Sequence, residues 1–396
     1  MKGRSGGDVV IVEAVRTGIG KGHADKGQYR ELTPQELLGR VYRGVLDRSG
    51  VNPSMVDDVI AGCVQQIGEQ GCNVARNGWL HEGLPVEVPA TTIDRQCGSG
   101  QTAFNTAAAM IAAGIQDIAI AGGVEHMGRV PFAAGIRAQE EFGRAITMPM
   151  QKRYGLTDTY TLTGQGAAAE RIAEEWALSR VEMDELALRS HQLAHQSTLA
   201  GNFAREIIAV HVGQSEIVTD QGIRAEANMA SISALPPVFR PDGLVTAATS
   251  SQVSDGAAAA LLMSRERASE LGMRSRARVL DHLTIGVDPQ MMLHGPIPAT
   301  QKILERNKLT IDDIDAIEIN EAFAAVVAAW MHEVKPDPDR VNPRGGAMAL
   351  GHPLGASGTR LITTLLHFLE DEDREFGLVT MCCGGGLGTA TLIQRL

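Results

Sequence analysis

Short apolar runs alternate along this chain with longer stretches in which apolar residues recur every three or four positions. "DVVIVEAV" predicts a buried strand. "TPQELLGRVYRGVLDRSG" predicts an amphipathic helix opened by Thr33 and stopped by Gly50. "VDDVIAGCV" reads as strand, "GSGQTAFNTAAAMIAAG" as an alanine-rich helix ended by Gly114, and "DIAIAGGV" as another buried strand. Such alternation predicts an α/β fold with a largely buried sheet.

The second half repeats the first. "LDRSGVNPSMVDDVIAG" near residue 50 resembles "LERNKLTIDDIDAIEIN" near residue 310. "CGSGQTAFNTAAAMIAAGIQDIAIAGG" parallels "GASGTRLITTLLHFLEDEDREFGLVTMCCGG". Each has a small-Ser-Gly turn, a helix, and a strand ending in small residues, which predicts two copies of one α/β unit. Between the halves, over residues 126–245, clean strand alternation gives way to methionines, aromatics and charges, followed by a long helix at "AAAERIAEEWALSR". This region holds many apolar residues, so it reads as an insertion that covers a site rather than as a linker. The expected division is 1–125 with about 246–275, the insertion 126–245, and 276–396.

The 396 residues exceed one small core and suit two or three packed units. A net charge of −11 gives no general reason to expect nucleic acid or an anionic membrane as partner. It leaves room for a local basic site for an anionic cofactor. The five cysteines are odd in number and scattered, without a CxxC pair. That speaks against a disulfide framework or a zinc site and suits a reducing, cytoplasmic setting. "MKGRSGGDVVIVEAV" shows no secretory apolar core, and no run of about 18 apolar residues predicts a membrane span.

Cys97 ends a strand-like run, and Gly98-Ser99-Gly100 then opens a helix. The helix dipole there favours a thiolate, and the small residues let a carbonyl approach backbone N–H groups. The other reading is a packed core cysteine. His352, in "GGAMALGHPLGASGTR", stands before the turn that repeats the one after Cys97. It is either structural or an acid/base, and pseudo-twofold packing of the halves brings both turns to one crevice. Asn320, with Glu321 in "EINEAFA", either caps a helix or fixes a water or substrate oxygen. "CCGGGLG" has neither the lysine of a P-loop nor the spacing of a dinucleotide fingerprint.

The blocks "CGSGQTA", "NEAFA", "GGAMALGHPLGASGTR" and "CCGGGLG", in this order, resemble the thiolases over nearly the whole chain. "GEQGCNVARNGWL", "TIDRQCGSGQ" and "TAATSSQVSDGAAA" resemble the actinobacterial thiolases of lipid and steroid catabolism. The resemblance implies a five-layered αβαβα fold of two similar halves with a loop domain, dimers or dimers of dimers, coenzyme A and acyl-CoA as substrates, and no metal. It implies Cys97 as nucleophile, His352 as base, Asn320 as holder of a water, Cys382 as second acid/base, and N–H groups of Cys97 and Gly384 as oxyanion donors. Ser251 and Phe323 fall where relatives contact pantetheine, and Arg224 near the nucleotide end.

Three positions depart from the pattern: Gly164-Gln165, where methionine is usual; Leu293-His294, where small residues are common; and Arg344, where Asn or Ser is frequent. Of the adjacent pair Cys382-Cys383, a strand can turn only one toward the crevice, and the C-x-G-G-G spacing of the family selects Cys382. The resemblance implies cleavage of 3-ketoacyl-CoA. A biosynthetic acetyl-CoA acetyltransferase and a silent acyl-CoA-binding protein are the alternatives. A decarboxylating ketoacyl synthase does not carry the C-terminal cysteine block.

Overall fold

The computed structural model describes residues 7–132, 134–156 and 162–396, with Leu162 and Thr163 placed by backbone alone. The first six residues and part of the predicted insertion, 157–161, lie outside it. Twelve strands are present among the described residues: β1 Val9–Arg16, β2 Gly20–Lys21, β3 Asp58–Gly62, β4 Ala90–Ile93, β5 Ile118–His126, β6 Val210–Val212, β7 Ser215–Ile217, β8 Ser254–Ser264, β9 Ala277–Gly286, β10 Ala316–Ile319, β11 Phe376–Cys383 and β12 Leu387–Arg395. β6 and β7 form a separate ribbon. The other ten strands run in the order β10-β11-β12-β9-β1-β8-β5-β3-β4, with β2 against β8.

The repeat is visible in this order. β3 pairs parallel to β5, and β5 pairs antiparallel to β8. In the other half β10 pairs parallel to β11, and β11 antiparallel to β12. The halves meet between β1 and β9 through only the pairs Val10–Arg278 and Ile11–Ala277. The approaches to β3 and β10 match in detail. A helix ends at Ser49 or Asn307, and Gly50 or Lys308 takes a left-handed turn. A single 3-10 turn follows, Pro53–Met55 or Ile311–Asp313, and then the strand.

Among the described residues, three large apolar cores fill the four interfaces of five layers, the middle core serving two of them. Helix Pro34–Ser49 is fixed at its start by a Thr33–Glu36 capping box. It buries Leu37, Val41, Tyr42 and Val45, and Trp79 of the next helix joins them against Val59, Ile120 and Leu261 of the sheet. The middle layer is helices Ser99–Ala112 and Leu354–Asp371. Their Phe104, Ile111, Leu361 and Leu365 meet Ile11 and Leu262 of one half and Val379 and Ile393 of the other. Helices Pro296–Asn307 and Ala324–Val334 cover Ile317, Leu378 and Leu392 on the far side. Each such Leu, Ile or Phe contributes about 2 kcal/mol by leaving water. The fold is thus a five-layered αβαβα sandwich.

The predicted long helix is two helices. Leu162–Glu175 ends where Ala177 adopts a left-handed φ of 49°, and Ser179 caps a new helix, Arg180–Leu199. The alanine-rich periodicity of "AAAERIAEEWALSR" conceals that break. Among the described residues, no helix is long and apolar enough to cross a membrane.

Candidate active site

The two middle helices begin side by side, and glycine makes this possible. A Cβ on Gly100 would stand 2.6 Å from the Gly355 carbonyl oxygen, and one on Gly62 would stand 2.7 Å from it. Gly123 and Gly358 have no room for a side chain at all. Glu125 fastens the junction. Its buried carboxylate accepts hydrogen bonds from Val64 N, Gln65 N, Gln70 Nε2 and, across the halves, Gly355 N at 2.9 Å. Gln101, on the helix after Cys97, donates to the Val379 carbonyl and to Thr391 Oγ1 of the opposite half. These bonds bring the turn after Cys97 to the turn after His352.

Cys97 is buried, two residues before helix Ser99–Ala112. The N–H of Gly384 and its own N–H point at its sulfur. The expected dipole-lowered thiol is not found: burial outweighs the N–H groups and pushes the Cys97 pKa up to about 12. A nucleophile at this position would therefore start as a neutral thiol and need a base.

His352 is the candidate base. Its Nε2 lies 3.3 Å from Asn320 Nδ2, and its Nδ1 lies 2.5 Å from Ser357 Oγ. Burial, assisted by the Arg360 charge, lowers its pKa to about 3, so the imidazole is neutral. Asn320 is fully buried, and its Oδ1 has no partner among the described residues. It is not the cap of the following helix: Phe323 holds that position, without a side-chain cap bond. Glu321 is structural glue, accepting from Ser190 Oγ, Asn342 Nδ2 and Met348 N.

β11 runs through both C-terminal cysteines, so their side chains alternate. Cys382 joins the outer core with Phe323 and Met348. Cys383 faces the middle layer, its sulfur 2.5 Å from where a Cβ on Gly98 would stand. Burial holds both thiols well above the ordinary range, and the nearby Cys97 sulfur adds to this. Both therefore lie near Cys97, from opposite faces of the strand.

The pantetheine candidates also come together. Ser250 bridges to Phe323, Ser251 N donates to the Ala322 carbonyl at 2.9 Å, and the Phe323 ring meets Phe239 edge-on at 5.9 Å. Arg224 is exposed. Its loop is tied to this region by Gln252 Nε2, which donates to the carbonyls of Gly222 and Ala349. Of the departures, Gln165 reaches Gly384. Arg344 does not approach His352: it pairs with Asp371 at 2.6 Å, at the far end of helix Leu354–Asp371. His294 is half-buried, and its Nδ1 has no partner among the described residues.

Glu125 and Ser357 were not singled out from sequence. The available signal for Glu125 was a charge inside the otherwise apolar run "DIAIAGGVEH"; for Ser357, its place one turn into the helix after His352. Among the described residues, no group of three or more His, Cys, Asp or Glu is placed to hold a metal ion.

Residues 9–266 match the family model "Thiolase, N-terminal domain", and residues 273–395 match "Thiolase, C-terminal domain". Steroid 3-ketoacyl-CoA thiolase FadA6 of Mycobacterium tuberculosis is 45% identical, covering 98% of this chain and 94% of that protein. A 3-ketoacyl-CoA thiolase of Yersinia pestis is 43% identical, covering 98% of this chain and all of its own length. The crystal structure of the Bacillus anthracis acetyl-CoA acetyltransferase superposes with a TM-score of 0.89 at 36% identity, covering 99% of this chain and 100% of that one. Matched on both halves and across its full sandwich, the chain belongs to the thiolase family.

Proposed function

We propose that this protein is a degradative 3-ketoacyl-CoA thiolase, cleaving a 3-ketoacyl-CoA of fatty-acid or steroid origin to acetyl-CoA and a shortened acyl-CoA. The observation that carries the reading is the packing of the turn after Cys97 against the turn after His352, whose imidazole is neutral, with a second buried thiol and the Gly384 N–H beside Cys97.

In this reading His352 Nε2 takes the Cys97 proton as the sulfur attacks the keto carbon. The N–H groups of Cys97 and Gly384 receive the developing oxyanion; losing one such donor costs about 3 kcal/mol of barrier. The tetrahedral adduct collapses, the bond between the α and β carbons breaks, and its electron pair passes to the acetyl-CoA carbanion. His352, now carrying a proton on Nε2, and a water held by Asn320 stabilise the thioester oxygen of that enolate. Cys382 gives the carbanion its proton. A second coenzyme A gives its thiol proton to the Cys382 thiolate and takes the acyl group, and His352 returns its proton to the departing Cys97 sulfur. Coenzyme A is a substrate here, with Ser251 and Phe323 along its pantetheine arm and Arg224 toward the nucleotide.

The same reading includes the division into 1–125 with 246–275, 126–245 and 276–396. It also includes a homodimer or homotetramer and a cytoplasmic setting. The half-exposed rim strand β4, unpaired on one side among the described residues, supports association of copies.

The biosynthetic alternative, acetoacetyl-CoA formation, draws support from the B. anthracis structure, at lower identity than the ketoacyl thiolases. Thiolysis rates across acyl lengths and steroid-CoA esters test the choice. Faster turnover of longer or steroid-derived substrates is expected, and acetoacetyl-CoA far ahead of every other substrate would overturn the degradative reading. Acetyl-CoA should leave an acetyl group on the Cys97 peptide; coenzyme A binding without that adduct would favour a silent binding protein.

A further inference from the structure

Gln165 stands in the first turn of helix Leu162–Glu175 and is 6% exposed. Its amide nitrogen lies 3.4 Å from the point where a side chain on Gly384 would begin. Gln96 Oε1 lies 3.4 Å from the same point. Gln96 Nε2 contacts both Asp94 carboxylate oxygens at 3.3 Å, which fixes Oε1 as the atom turned toward Gly384. Gln165 has no such anchor: with the described residues its side chain forms no hydrogen bond. Its neighbour Gly166 lies under the Phe239 ring, which in turn packs on Phe323. An unpaired carboxamide and a fixed acceptor therefore flank the peptide that faces the nucleophile, with aromatic rings alongside.

The Gln165 amide has no partner among the described residues and meets water; an acyl arm that displaces this water without replacing its hydrogen bonds forfeits them, whereas a substrate oxygen placed there restores them. Building on the thiolysis reading, we propose that Gln165 is a specificity-determining residue whose carboxamide, together with Gln96 Oε1, binds a hydroxyl on the acyl arm of the substrate. A hydroxyl meets both groups, accepting from Gln165 Nε2–H and donating to Gln96 Oε1. A carboxylate there would face the Gln96 oxygen and the Asp94 charge behind it. A plain alkyl arm leaves Gln165 unpaired.

The test compares thiolysis of 3-ketohexanoyl-CoA with that of its analogues hydroxylated at carbon 5 or carbon 6. Acetoacetyl-CoA, with no arm beyond its methyl, is the reference. For the full chain, kcat/KM is expected to favour one hydroxylated analogue by about tenfold. Gln165→Met should erase that preference and leave acetoacetyl-CoA unchanged. Gln165→Asn, which withdraws the amide by one methylene, should also erase it and serves if the Met variant does not fold. No preference in the unmodified chain, or a preference that survives both substitutions, overturns the proposal. So does an equal loss on all substrates, which would place Gln165 at the reacting carbons. Failure of the unmodified chain to turn over acetoacetyl-CoA, or to become acetylated on Cys97, would instead count against the thiolysis reading.

Discussion

The Nδ1 of His352 lies 2.5 Å from Ser357 Oγ, and that hydroxyl is itself 2.9 Å from the Pro353 carbonyl. Ser357 has one proton, and the carbonyl can only accept it. Oγ therefore accepts from Nδ1–H, the imidazole proton sits on Nδ1, and the Nε2 lone pair faces Asn320 Nδ2. Ser357→Ala should leave the fold intact and lower the acylation rate of Cys97 by about tenfold to a hundredfold, the range for one buried hydrogen bond to a catalytic base. Rapid-quench acylation with acetyl-CoA measures it. An unchanged rate would show that the tautomer is set by another group.

The cysteine pair separates into two kinds of consequence. Cys382→Ala removes the thiol proposed to protonate the carbanion, and turnover should fall by about a hundredfold or more. Cys383 fills the space over Gly98, so Cys383→Ala should leave turnover within a few-fold and cost about 1 kcal/mol of stability through lost packing. Paired kinetics and urea melts of both variants check this. Equal kinetic losses would mean that the Cys383 face also serves the substrate.

What sequence revealed and concealed follows from the physics of each position. The repeat was legible because helix stop, turn and strand leave local marks, as at Gly50 and Lys308. Cys97 and His352 stood out because both precede the same small-Ser-Gly turn. The Cys97 thiol was misjudged because a helix dipole is local, whereas burial depends on what the other half places around it. Glu125 passed unnoticed because its partners, Val64, Gln70 and Gly355, are brought to it only by the fold. The break at Ala177 is hidden because alanine and glutamate favour helix on either side.

The close approach of the middle helices makes a further claim on composition. A methyl on Gly358 would overlap the backbone of Gln101, and Gln101 is the residue that ties the first half to β11 and β12. Gly358→Ala should therefore cost more than about 3 kcal/mol, beyond an ordinary surface change, by prying the helices apart. Thermal melts and Cys97 acylation should both report it, because the same separation carries Cys97 away from His352. A variant with native melting would show that the helices can slide without cost.

Acid should destabilise the protein through histidines that are buried neutral. Burial first, then the Arg276 and Arg205 charges, lowers His367 to about 3, while its Nδ1–H donates to the Thr363 carbonyl. A histidine of the unfolded chain titrates near 6.5. Between these values the unfolded state binds the extra proton, so stability is present above about pH 6.5 and is lost as pH falls toward 3. At pH 5 this one group has removed about 2 kcal/mol relative to pH 7. Glu318 works in the opposite sense: burial raises it to about 8, so its burial penalty grows as pH rises from the ordinary carboxylate range toward that value. The whole-protein curve mixes both trends, and a difference measurement isolates the histidine. His367→Asn keeps an N–H donor but cannot take a proton. Urea unfolding at pH 7 and pH 5 should show this variant losing about 2 kcal/mol less than the parent between the two conditions. Parallel losses in parent and variant would mean that His367 gains access to solvent protons without unfolding.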